Sequence, residues 1–322
     1  MALGRAAYRT VVVDEDRPGT RESPLAVSVV HGFGTPADPF VWCRMTPREH
    51  RAEALRSEIG YARFREALFL GSKSVRLRRA PHRLLAWPGS DGRDLEIAGE
   101  RLAAAGLPVA LREDDVGVAL ERGDEALVAR DRLAADLARQ AESMGVDLRT
   151  PDRVFALEED PGGGVLAEVM TGRERFDACI WAGSRPWNGA RAGLRHRAVL
   201  YEEVEAGALS LPAILQLASA DGLFAPDAGH GARHVIVRLA SETSEPGLRW
   251  PEIPGAWATF RGATRRQRLM GAFVGPSRRS FTRRSGVVSL TGLEWWPIAS
   301  VFGAAAEALG LPPCDDERLE ST

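Results

Sequence analysis

The chain has 322 residues, 44% of them hydrophobic and 27% charged, a balance that builds a folded core and excludes a disordered polar chain. Its formal charge of −2 supplies no global basic field, which excludes recruitment of nucleic acid by charge alone. Cys43, Cys179 and Cys314 lie far apart with no C-x-x-C pair, so neither a disulfide framework nor a zinc site is expected.

The first residues lead into Thr10–Val13 without the apolar region of a signal peptide, and no apolar stretch approaches the roughly 18 residues that span a bilayer. A cytoplasmic location is expected, with no membrane partner. The basic residues are almost all arginine, with Lys73 the lone lysine, as GC-rich coding produces.

Thr10–Val13 is a β-branched run ending in Asp14, Glu15 and Asp16, which predicts a buried parallel strand. Arg17–Pro24 is turn-rich. Pro47–Leu70 reads as a helix, with Leu55, Ile59, Phe64 and Leu68 at roughly helical spacing. Arg83–Pro88 resembles a strand end, and Asp94–Ala105 a second helix stopped by Gly106 and Pro108.

Asp131–Met144 is an amphipathic helix with Leu133, Leu137 and Ala141 on one face and Asp136, Arg139 and Glu142 on the other. Gly145 follows as its C-cap. Val146–Leu148 and Val154–Glu159 are short strands, and Pro161–Gly164 turns the chain into Val165–Met170. Phe176–Gly183 reads as one apolar strand.

Val199–Leu239 alternates like antiparallel sheet, and Pro246–Pro254 reads as loop. Phe273–Pro276 and Gly286–Leu290 predict short strands, and Pro297–Leu309 a closing helix with proline in its first turn. The acidic stretch from Pro312 is expected to fray. The pattern is α/β: a layer assembled from discontinuous pieces beside an antiparallel-sheet lobe.

The order of these segments resembles the D-amino-acid oxidase superfamily, which includes glycine oxidase and sarcosine oxidase. Val11–Glu15 is similar to that family's second strand, whose terminal acid holds the adenosine ribose. Asp131–Gly145 is similar to the helix before the strand pair flanking adenine, and Asp177–Gly183 to the strand returning beneath the flavin. Phe273–Pro276 followed by Gly286–Gly292 is similar to the closing strand pair beside the isoalloxazine, and Pro297–Leu309 to the final helix.

The resemblance implies an FAD-binding Rossmann-like layer from residues 1–45, 120–190 and 256–322, with a substrate lobe from 46–119 and 191–255. It implies FAD as cofactor and an amine or amino acid as small-molecule substrate, oxidised by hydride transfer to the flavin.

The residues it nominates each have a plainer alternative. Asp14 or Glu15 would accept the ribose hydroxyls; a solvated acid at a strand end is the other reading. Val154 would offer its backbone to adenine. Ala182 and Gly183 would let backbone approach the cofactor without a Cβ at the glycine. Thr291 and Gly292 precede the helix whose N-terminus would face the flavin pyrimidine. In the intervening loop, Trp295 and Trp296 either cap a pocket or fill the flavin's space. His31, in His31-Gly-Phe-Gly34, lies where the family's loop passes over the flavin.

Two departures matter. The family opens with a strand and a G-x-G-x-x-G turn that grips the pyrophosphate. No such motif occurs here, and Met1–Arg9 matches only the tail of the family's first helix. Either a strand–turn–helix unit of roughly 20–30 residues precedes Met1, or the site is lost. Without that strand, Thr10–Val13 is expected to keep an unpaired edge and exposed apolar surface.

The family's carboxylate-binding arginine also falls out of register, on Thr264. Arg238, Arg261 and Arg265 remain substrate anchors on chemistry alone, because a guanidinium grips a carboxylate with two hydrogen bonds. Solvated surface arginines are the plain alternative, and Arg261, Arg265, Arg266, Arg268, Arg278, Arg279, Arg283 and Arg284 read together as a charged loop.

No metal is expected. His230 and His234 are spaced as a helical pair, but glycines surround them and no H-E-x-x-H places a carboxylate. There is no G-x-S-x-G and no Walker A sequence. Two readings stay open: an FAD-dependent amine or amino-acid oxidoreductase, and an FAD-free relative acting as a binding or scaffold protein with a protein partner. A nicotinamide-dependent reductase needs the same missing motif.

Overall fold

The computed structural model describes residues 9–19, 27–33, 45–71, 75, 77–79, 81–86, 92–114, 117–182, 195–205, 214–217, 223–225, 233–239, 264–274, 280–284, 287–291 and 296–310. In chain order the first elements are β1 (Val11–Val13), β2 (Val27–Val29), α1 (Pro47–Gly71), β3 (Arg78–Arg79), β4 (His82–Leu85), α2 (Arg93–Ala104), β5 (Val109–Asp114), β6 (Gly117–Arg122) and β7 (Ala126–Ala129). Then come α3 (Arg130–Ser143), β8 (Asp147–Arg149), β9 (Val154–Glu159), β10 (Val165–Val169), β11 (Gly172–Phe176) and β12 (Cys179–Trp181). The last are β13 (Arg195–Glu205), β14 (Ile214–Leu217), β15 (Leu223–Ala225), β16 (Arg233–Leu239), β17 (Thr264–Val274), β18 (Ser280–Arg284), β19 (Val287–Thr291) and α4 (Ile298–Ala308).

The largest sheet runs β17-β13-β16-β15-β14-β4-β6-β5, eight strands from three separate parts of the chain. Most of its pairings are antiparallel, as the alternation from Val199 predicts, with β14 and β4 the parallel exception. Two smaller units contain parallel pairs: β1 with β8, and β12 with β19, the latter extended by antiparallel β18. The remaining sheets are β11-β10-β9 and β2-β7-β3. The class is α/β.

Local chemistry explains the helix ends. At α1, Thr46 Oγ1 accepts the Glu49 N–H at 3.3 Å and the Glu49 carboxylate accepts the Thr46 N–H at 2.7 Å, a capping box one residue outside the predicted start. Beyond α3, Gly145 takes a φ of 82°, which a side chain would resist.

The faces differ in part from the periodicity. Along α1, Leu55 is 55% exposed, and the buried stripe is His50, Glu53, Gly60, Phe64 and Ala67. That stripe faces α4. Gly60 and Gly303 lie where the two backbones meet: a Cβ on Gly60 would run into the Ala299 carbonyl oxygen, and one on Gly303 into that of Arg56. Ion pairing seals the contact, since Arg56 bonds Glu53 at 2.7 Å and Glu307 at 2.5 Å, while Ser300 Oγ donates to Glu53 at 3.3 Å.

On α3, Asp136 is buried rather than solvated. It lies three residues after Leu133 on the same face, and Arg139 reaches back to neutralise it.

Other expectations are corrected in the strands. Phe176–Gly183 is not one strand: Phe176 ends β11, paired to β10, and the chain re-enters as β12. The polar run Gly172–Phe176 hid this strand because β10 covers it through main-chain bonds, which leave no mark in the sequence. Phe273 and its neighbours do not pair with β19. They end β17, which lies against β13, and β19 takes β18 instead. The arginines at 265, 266 and 268 lie on β17, not in a loop. The loop and tail expectations for Pro246–Pro254 and for residues from Pro312 fall outside the described residues, as do Pro88, Trp295, Cys43 and Cys314.

β1 is parallel as predicted but not fully buried. Val12 is 39% exposed, and among the described residues β8 is its sheet partner on one edge only. No helix among the described residues is long and apolar enough to cross a membrane.

Candidate functional site

Parallel strands bring ligand contacts to their C-terminal ends; Asp14, Glu15, Ala182 and Thr291 stand at such ends, while Val154 opens the antiparallel strand β9. Asp14 follows β1 and is exposed, with Oδ1 accepting the Asp16 N–H at 3.1 Å. The Asp14 carbonyl oxygen accepts the Asp152 N–H at 2.9 Å, and Glu15 pairs with Arg153 at 3.1 Å. Those two contacts bring Asp14 and Glu15 beside Val154, the first residue of β9. Buried Asp152 fixes the junction by accepting the N–H groups of Arg153 at 2.7 Å and Met170 at 2.9 Å.

Ala182 follows β12 and is exposed. Trp181 pairs in register with Ser289, so Ala182 and Thr291 stand near each other at the ends of adjacent parallel strands. Val13, Val154 and Trp181 pack against one apolar cluster of Leu157, Val165, Ala167, Val169 and Val287, which ties the three strand ends to one support. Half-buried Cys179 packs against this cluster, and burial raises its thiol to about 11. Gly183 and Gly292 lie outside the described residues.

His31 belongs to a second group. The turn after β2 docks on the start of α4: the Val30 carbonyl oxygen accepts the Ala299 N–H at 2.9 Å. Gly32, with φ 66°, faces Pro297 so closely that a Cβ would stand 2.6 Å from the proline ring. Trp296, just before the helix, is 3% exposed and packs inward. His31 stacks at 4.6 Å on the ring of Tyr61 from α1. Desolvation lowers its pKa, helped by the Arg122 charge and opposed by Glu125 and Asp124. At neutral pH its imidazole is therefore uncharged.

The residue that organises this turn is Glu125, which the sequence reading missed. It is fully buried, and its carboxylate accepts the N–H groups of Val30 at 2.9 Å, His31 at 3.0 Å, Gly32 at 2.5 Å and Ala126 at 2.9 Å. His82, also fully buried, brings Nδ1 to 3.6 Å from Glu125 and stacks on Phe33 at 4.7 Å. Burial pushes the Glu125 carboxyl up, but the His82 ring, the His31 N–H and the Arg122 charge outweigh it and bring the pKa to about 2. An acid next to an apolar strand start was the available sequence signal.

The nominated arginines that the structure describes lie on the large sheet. Arg238 lies on β16 opposite Leu200 of β13, and Arg265 lies on β17 where its register with β13 shifts near Glu203 and Val204. Arg261 is outside the described residues. His234 lies in strand β16, not on a helix, and no group of three or more metal-ligating side chains occurs among the described residues.

This fold is shared by solved structures of amino-acid and amine oxidoreductases. Glycine oxidase from Geobacillus kaustophilus superposes with a TM-score of 0.67 at 16% identity, covering 98% of this chain and 92% of that one. L-proline dehydrogenase from P. horikoshii gives 0.69 at 11% identity, covering 98% and 91%, and iminodiacetate oxidase from Chelativorans sp. BNC1 gives 0.65 at 18%, covering 98% and 94%. No protein-family model and no curated protein matches the sequence.

The fold family implies FAD, and the residues fit it at one end. Asp14 is an exposed acid at a parallel strand end, suited to ribose hydroxyls, beside the backbone of Val154. For the pyrophosphate, the sequence offers no G-x-G-x-x-G turn.

Proposed function

We propose that this chain is an FAD-dependent oxidoreductase acting on a small amine or amino acid. The observation that carries the reading is the likeness over nearly the whole chain to oxidoreductases of such substrates; Asp14, Ala182 and Thr291, at the C-terminal ends of parallel strands, and Val154 beside Asp14 would then hold the dinucleotide.

On this reading residues 1–45, 120–190 and 256–322 form a Rossmann-like cofactor layer, except for β17, which pairs with β13 and joins 46–119 and 191–255 in a substrate lobe. The cofactor residues are Asp14, Glu15, Val154, Ala182, Gly183, Thr291 and Gly292. The flavin supplies the hydride acceptor. The chain's own residues bind and orient: the acid after β1 holds the ribose, the α4 N-terminus offers positive dipole to the ring, and an arginine among Arg238, Arg261 and Arg265 anchors a substrate carboxylate. Uncharged His31, on the turn docked to α4, faces substrate or ring as a hydrogen-bonding group. A cytoplasmic location belongs to the same reading.

A second reading is favoured by the lack of a G-x-G-x-x-G turn in this sequence: an FAD-free relative that binds a protein partner. The visible spectrum of the purified chain mixed with FAD decides between them. Flavin absorbance that stays with the protein through gel filtration supports the oxidoreductase, and a screen of amines and amino acids for flavin bleaching then reads the substrate. A folded, colourless protein overturns the first reading and leaves the second.

A further inference from the structure

Consecutive backbone N–H groups that converge on one point make an anion-binding nest, with a residue of positive φ closing it. Val30, His31 and Gly32 form such a nest, Gly32 providing the positive φ of 66°. The anion inside it is the carboxylate of Glu125, 93 to 95 residues away in the chain. Val30 has other anchors, since its N–H also reaches the Ala126 carbonyl oxygen at 2.9 Å and its own carbonyl oxygen accepts from Ala299. For the N–H groups of His31 and Gly32, Glu125 is the partner found among the described residues.

We propose that Glu125 is a positioning residue, the tethered anion of a backbone nest at Val30–Gly32, and that filling this nest sets where His31 stands against Tyr61 and the start of α4. The proposal concerns the turn itself and holds whether or not the chain binds FAD.

The geometry explains why a carboxylate is needed. Four N–H dipoles point at two oxygens in a buried space, and ionised acceptors bind such donors more strongly than neutral ones. A glutamine keeps the size, but its amide nitrogen has no lone pair for the donors it faces. The charged and titratable groups around the carboxylate are His82 on β4, Arg122 at the end of β6, Asp124 beside it, and His31 in the turn. Arg122 is itself tied to Asp124 at 2.7 Å, and above His31 the Tyr61 ring carries the Arg65 guanidinium at 5.9 Å.

Charge and position make opposite predictions for His31. Glu125 raises the His31 pKa electrostatically while burial lowers it, and burial is the larger. If Glu125 acted only as a charge, neutralising it would drop the His31 midpoint further. If it positions the turn, removing it frees His31 into water and the midpoint rises toward the ordinary 6.5.

The experiment is an NMR pH titration of the His31 ring, assigned by its loss in His31→Asn, for the wild-type chain, Glu125→Gln and Glu125→Ala. We expect wild type to titrate below 6.5, Glu125→Ala to rise by about half a pH unit or more, and Glu125→Gln to rise by less. The melting temperature of Glu125→Ala should fall by roughly 10 °C.

Formate, a free carboxylate, should return the His31 midpoint of Glu125→Ala toward wild type, while chloride at the same ionic strength should not. A midpoint that falls or stays put in the glutamine variant overturns the proposal, and that variant carries the test if the alanine variant does not fold. In a folded alanine variant, formate acting no better than chloride overturns the nest.

Discussion

Two regions solve the same problem, how to finish the backbone of a short element, in opposite ways. Around Glu125, a three-residue strand paired by β7 ends in a closed turn: α4 docks on Val30, and a carboxylate collects the N–H groups of the turn. At β1, a strand of the same length is paired through β8, and Val12 stays 39% exposed. In the closed turn, polar groups removed from water are matched by the Glu125 carboxylate. At β1 the exposed face of Val12 is met by solvent instead.

The contrast breaks first at the helix crossing behind the closed region. Gly60→Val should lose about 3 kcal/mol or more, because the added atoms meet the backbone of α4 rather than a movable side chain. Urea unfolding of the variant checks this, and a loss below 1 kcal/mol would mean that α1 and α4 are not closely packed. Phe64→Ala should cost a similar 3–5 kcal/mol, since Phe64 is fully buried and meets Phe302 edge-on at 5.5 Å.

Acid should loosen the same region. The folded Glu125 pKa of about 2 lies below its usual 4.5, so its stabilisation is complete above pH 4.5 and lost as pH falls toward 2. The amount is roughly 3 kcal/mol. His31 acts in the same direction and earlier, because its lowered pKa means the folded state resists protonation as pH drops below 6.5. Stability measured against pH should therefore fall in two stages, and Glu125→Gln should remove the lower one.

The smallest effect sharpens the other half. Val12→Thr, on the exposed side of β1, should change stability by less than about 0.5 kcal/mol. A loss above 1.5 kcal/mol would show that a further segment covers this edge in solution.

Much of this was legible from spacing alone. The helices at Arg93–Ala104, Arg130–Ser143 and Ile298–Ala308 and the hairpin through Pro161–Gly164 announce themselves because caps, turn glycines and apolar periods are local signals. Leu55 and Asp136 were misplaced because periodicity gives a stripe, not the neighbour that covers it. A glycine at 60 lets α4 come close on a side the apolar residues did not mark, and an arginine one turn on lets an aspartate be buried.

Sequence by itself determined the class of the chain, its element types and the candidate acids at the end of β1, since these rest on short-range sterics and composition. Only the tertiary structure decided that Phe273 lies in the large sheet, that β19 takes β18, and that Glu125 closes the turn bearing His31. Those outcomes depend on which main-chain donors and acceptors meet across gaps of dozens of residues. Backbone hydrogen bonding is the same for nearly every residue type, so it leaves no trace in the order of side chains.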